Sequence, residues 1–163
     1  SIPEFQHSVD RKNANYVNFD DDDFHHPDRC KISVHKLHSS KYTICGCTDC
    51  YITINGIIYQ IRGLGQRHST AGLMAYTREH GLTHKFGEDI HHAEESEFTD
   101  KYKYDLIQLE PPHKVILIMC HSENTFDKTA YIKNNLGKTV FETRMKPKNF
   151  TKNKKLINLF FPK

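Results

Sequence analysis

The chain has 163 residues, enough for one domain with a real core, and its 37% apolar and 26% charged content fits a globular domain with polar ends. No run approaches the ~20 apolar residues of a membrane span, and no secretory pattern opens the sequence. The net charge of +3 is unevenly placed, with Asp20-Asp21-Asp22-Asp23 at the front and a lysine-rich, acid-free stretch from Lys146 to Lys163. That basic end favours phosphate-bearing partners.

Ser1 to Phe5 read as an expression remnant. Residues 1–28 are polar and acidic and lack apolar periodicity, which predicts a disordered segment open to a protein partner. A single α/β domain is expected over residues 29–163. Lys31 to Leu37 alternates in the manner of a strand, and Tyr42–Ile44 and Tyr51–Ile54 continue it. Asn55-Gly56 predicts a hairpin turn, because a type I′ turn needs positive φ at both central residues. Ile57–Ile61 is the returning strand, ended by Gly63-Leu64-Gly65. Thr70 to Glu79 reads as a short helix packing Leu73, Met74 and Tyr76.

A helix is predicted from Asp89, its N-cap, with Ile90, Ala93, Phe98 and Tyr102 on one face. Pro111-Pro112 breaks the chain. Val115–Met119 has no polar interruption, as expected of a strand buried on both faces. Ser122 caps a predicted helix from Glu123 to Leu136, closed by Gly137. Thr139–Met145 reads as a strand, and Leu156–Phe161 as a last short element. The order is β-hairpin, α, β, α, β, which predicts a central mixed sheet with helices packed on it.

Five cysteines without a secretory pattern predict reduced thiols and an intracellular setting, cytoplasm or nucleus. Cys45, Cys47 and Cys50 share one short loop, and Cys47-x-x-Cys50 has zinc-binding spacing. A structural zinc there competes with buried thiols acting as small hydrophobes, or with a Cys47–Cys50 disulfide. Gly63-Leu64-Gly65-Gln66-Arg67-His68 is glycine-rich and basic, so Arg67 and His68 are candidates to approach a phosphate. Tyr104 is a candidate to stack on a nucleobase. Twelve histidines raise the odds of metal binding or acid–base work.

The pair His92-Ala93-Glu94, followed by Cys120 at the end of the buried strand, carries a resemblance. From Tyr51 to Met145 the chain resembles the cytidine deaminase superfamily, particularly its AID/APOBEC branch. The resemblance implies a Zn²⁺ held by His92 and Cys120, with Glu94 moving the proton as zinc-bound water attacks a nucleobase. The family's proline is Met119 here, and Glu123 stands where its second cysteine would sit. A carboxylate oxygen ligates zinc, so Glu123 is the expected third ligand, with His121 the other candidate. The substrate would be a base in nucleic acid or a nucleotide. Two rival readings stand beside it. One is a non-catalytic, zinc-stabilised module that binds nucleic acid or protein. The other is a metal-free nuclease using histidine with Tyr and Lys, its raw material being Tyr102, Lys103 and Tyr104 near the His91-His92 pair. Residues Thr129 to Lys146 are also similar to the poxvirus cyclic-dinucleotide nuclease.

Overall fold

The computed structural model describes residues 13–63, 65–87, 95–120 and 127–161. The hairpin forms as its turn requires. β4 (Cys50–Ile54) and β5 (Ile57–Ile61) pair antiparallel, and Asn55 and Gly56 hold φ of 49° and 77°. The apolar run supplies β8 (Ile116–Met119), which lies parallel to β4, with Ile52 opposite Ile118. β2 (Phe24–His25) closes one edge against β8, and β9 (Val140–Glu142) closes the other against β5. This sheet has the order β2-β8-β4-β5-β9.

A second sheet has the order β1-β6-β3-β7 and is built from shorter strands. β1 (Asn15–Val17), β6 (Ala75–Thr77) and β3 (Ile44–Gly46) pair antiparallel, and β7 (Ile107–Gln108) joins β3 in parallel. The fold is therefore α/β with two mixed sheets rather than one central sheet. The sheets share a core, since Cys45 of β3, Cys50 of β4 and Ile116 of β8 belong to one buried cluster with Leu37, Leu73, Leu109 and Val115.

Three expectations are corrected. Residues 31–37 are not a strand but lie in the helix α1 (Arg29–His38). Arg29, Ser33 and Leu37, four apart, form its buried stripe, and His35, Lys36 and His38 suit the negative end of the helix dipole. The β-branched Ile32 and Val34 mimic strand alternation without setting it. Residues 70–79 are not one helix. Ala71–Leu73 make a 3₁₀ turn, β6 follows, and Thr77 caps α2 (Arg78–Thr83) by accepting from the His80 N–H. Leu73, Met74 and Ala75 are all buried, which no single helical face would allow. The segment read as disordered contributes β1 and β2. Phe24, only 5% exposed, anchors β2 in a cluster with Ile58, Leu117 and Phe150.

Among the described residues the helix expected from Asp89 is the single turn α3 (Glu95–Phe98). It is followed by three positive-φ residues, Asp100 (44°), Lys101 (56°) and Tyr102 (60°). Asp89 itself lies outside the described residues, as does Ser122. The described part of the next helix is α4 (Lys128–Asn135), capped by Asp127, whose carboxylate accepts from the Ala130 N–H at 2.9 Å. The last element is α5 (Lys154–Phe160), capped by Asn153. Among the described residues no helix is long and apolar enough to cross a membrane.

Candidate functional site

Beyond β5 the chain turns at Gly63 and runs through Gly65-Gln66-Arg67-His68, where the basic motif lies. Four hydrogen bonds fix this loop. The Gly63 N–H donates to the Asp49 carboxylate at 2.9 Å. The Gln108 amide donates to the carbonyls of Gln66 and His68 at 3.0 and 2.9 Å. Its oxygen accepts from the Thr48 N–H at 2.8 Å. Gly63 can be nothing larger, because a Cβ there would fall inside the hydroxyl and carbonyl oxygens of Thr48.

His68 is thereby held between two polar partners. Its Nδ1 lies 3.0 Å from Thr48 Oγ1, and its Nε2 lies 3.9 Å from Glu95 Oε1. Glu95 opens α3 and is 8% exposed. The Tyr102 hydroxyl donates to the same carboxylate oxygen at 3.3 Å, and the Tyr102 and His68 rings sit 5.6 Å apart. A cleft of about 450 Å³ opens here, lined by Gly65, Gln66, Arg67, His68 and Tyr102. Arg67 is exposed and pairs through Nε with Asp105 at 2.7 Å.

Burial pushes the His68 pKa below its ordinary value, against the opposing pull of Glu95. The imidazole is therefore neutral, and basic, at neutral pH. Burial, with the Glu95 charge and hydrogen bond, pushes the Tyr102 hydroxyl up, so it keeps its proton. The arrangement puts a fixed neutral imidazole and a phenol able to donate at one open cleft, with a buried carboxylate that both of them face and that draws the imidazole toward its charged form.

Of the expected site residues, Arg67 and His68 come together. Tyr104 does not join them, because its ring packs at right angles to His80 and His84 and lines a different pocket. His92, Glu94 and Glu123 lie outside the described residues, as does His121. Cys120 follows β8, half-buried, with Sγ 3.6 Å from Thr129 Oγ1 at the first turn of α4. Cys45, Cys47 and Cys50 sit in the core as free thiols. Cys47 Sγ donates to the carbonyls of Asp49 and Leu109, and burial pushes Cys45 and Cys47 to about 12. Among the described residues no three His, Cys, Asp or Glu side chains converge as a metal site. Glu95, Thr48 and Gln108 were not singled out by sequence.

Four histidines, His25, His26, His68 and His80, have pKa values lowered, in each case chiefly by burial. Each binds its proton less readily folded than unfolded, so together they remove stability as pH falls through about 6.5 and below. Asp23 opposes them. Burial raises it to about 6, so the fold binds its proton more readily and gains stability as pH falls from about 6 to 3.8. The thermal midpoint is expected to fall from pH 7.5 to pH 5 at fixed ionic strength. Asp23→Asn is expected to steepen the fall between pH 6 and 4. A midpoint that rises over this range would contradict the burial of these rings.

No protein-family model, curated protein or solved structure matches this chain.

Proposed function

We propose that the His68 cleft is a metal-independent acid–base site that cleaves a ribose-containing phosphodiester in RNA or a cyclic or linear oligonucleotide. The observation that carries the reading is His68 held between Thr48 and Glu95, with the Tyr102 hydroxyl on the same carboxylate. Nδ1 is tied to Thr48 and Nε2 faces Glu95 at 3.9 Å, and Nε2 is the nitrogen proposed to act as the base. Nε2 takes the proton of a ribose 2′-hydroxyl, and the 2′-oxygen attacks the adjacent phosphorus. The bond from phosphorus to the 5′-oxygen breaks as Tyr102 gives its proton to the leaving oxygen. The products are a 2′,3′-cyclic phosphate and a 5′-hydroxyl, and both groups then exchange protons with water. Glu95 stabilises the imidazolium formed on the way. Arg67, tethered by Nε to Asp105, offers its terminal N–H groups to the phosphate. The lysine-rich segment of residues 146–163 supplies attraction for a polyanion.

The zinc-deaminase reading is a second proposal. Its support is Cys120, partly exposed where β8 gives way to the segment before α4, as that resemblance implies. One experiment separates the two. Zinc per chain is measured in the protein as purified, beside Cys120→Ser, and the protein before and after dialysis against EDTA is given an oligonucleotide with one ribose among deoxyriboses. Cleavage at the ribose, in EDTA, with a cyclic-phosphate end supports the His68 reading. One zinc lost in Cys120→Ser, with the strand uncut and an amine released, supports the deaminase. A strand bound but unchanged leaves the binding module.

A further inference from the structure

The aromatic residues of α2 and the segment after α3 form a second pocket that the His68 cleft does not use. His80, buried at 2% exposure, is fixed by the Phe98 carbonyl at Nε2 (3.1 Å) and Thr43 Oγ1 at Nδ1 (3.1 Å). One helical turn on, His84 stacks on it, with centroids 4.1 Å apart and planes 9° from parallel. Tyr104 stands at right angles to both, at 5.4 Å from His80 and 4.7 Å from His84. His84 is thus covered on one face by His80, while it also lines a pocket of about 520 Å³ with Leu82, Lys85, Glu97, Asp100 and Tyr104. Leu82 is 66% exposed and Tyr104 38%.

We infer that this pocket is a stacking site for an aromatic base that carries an exocyclic amine, such as adenine or cytosine, in a nucleotide. A flat ring on the open side of His84 continues the existing stack and meets Tyr104 edge to face, as the two histidines already do. The polar rim then selects the ring. Glu97 and Asp100 are carboxylates, which only accept hydrogen bonds when ionised, so the base must present N–H donors to them. An amino group does so; a carbonyl at the same ring position meets the oxygens of Glu97 and of Asp100, the latter paired with Lys103 at 3.5 Å, and finds no donor on them. Lys85 adds a cation for the nucleotide phosphate. The pocket volume lies within the range that holds a small ligand. The inference rests on a different pocket from His68 and stands whether or not that residue is catalytic.

The test is calorimetric titration of the whole chain with AMP, IMP, CMP, UMP and inorganic phosphate. AMP and CMP are expected to bind at least ten-fold tighter than IMP and UMP, and phosphate alone not to compete. Loss of a base-stacking partner weakens binding roughly five- to hundred-fold, the effect expected of Tyr104→Ala. Tyr104 also packs against the histidines, so Glu97→Gln/Asp100→Asn, both exposed, is the second variant. It is expected to bring AMP and IMP to equal affinity without loss of fold. His68→Ala is expected to leave AMP affinity unchanged. Equal binding of AMP and IMP to the native chain, displacement by phosphate, or loss of AMP binding in His68→Ala would each overturn the assignment.

Discussion

His68→Ala is expected to lower kcat/KM for the ribose-containing strand by about 10²- to 10⁴-fold, the usual contribution of a positioned acid–base group. The shape of the pH profile identifies the role more firmly than the size of the loss. Burial lowers the His68 pKa, so the native acid limb should lie below the ordinary histidine value of 6.5. Glu95 pulls that pKa upward, so Glu95→Gln should shift the acid limb further down while lowering the rate at its plateau. Thr48→Val removes the partner at Nδ1 and keeps the side-chain volume, so it should reduce the rate less than His68→Ala and leave the acid limb in place. A residue that merely packed the cleft would move none of these limbs. Native-like activity in His68→Ala would end the proposal.

Gly63→Ala is expected to destabilise the chain by about 1–3 kcal/mol, the range for forcing an extra carbon into a packed site. The added Cβ meets the Thr48 side chain and also its backbone, with the carbonyl carbon at 2.5 Å. Backbone cannot rotate away as a side chain can. Combining Gly63→Ala with Thr48→Ala should therefore recover only part of the loss in urea unfolding. Because Thr48 holds His68 Nδ1, the same substitution should lower activity even in the fraction that folds. Full stability in Gly63→Ala would mean that the close approach is relieved by a small shift.

The parts of the fold that sequence makes plain are those with strong local chemistry. Asn55-Gly56 admits few turns, and the run ending at Met119 admits few places other than a sheet interior. The second sheet is hidden because its strands span two or three residues, too short for alternation to register. α1 is hidden because its buried stripe includes Arg29 and Ser33, polar residues that no apolar count detects. At the site, Arg67 and His68 are legible as a basic, glycine-rich turn. Glu95 is not, because it reaches His68 only through the tertiary fold; Tyr102 is named among the nuclease residues, but its meeting with His68 is likewise set by the tertiary fold. Tyr102 and Tyr104 look equivalent in sequence, yet they line different pockets. The left-handed turn that ends at Tyr102 uses aspartate, lysine and tyrosine, so no glycine announces it.

That turn also binds the two pockets to each other. A non-glycine residue in the left-handed region sits about 1–2 kcal/mol above its relaxed form, and Asp100, Lys101 and Tyr102 occupy it in succession. The segment is held by backbone bonds to the carbonyls of Ser96 and Thr99, by Tyr102 against Glu95, and just beyond it by Tyr104 against His84. A ligand that secures one of these tyrosines spares the other the work of holding the turn. Were both pockets filled, whatever one ligand did to the affinity of the other through this turn would be returned by the same factor.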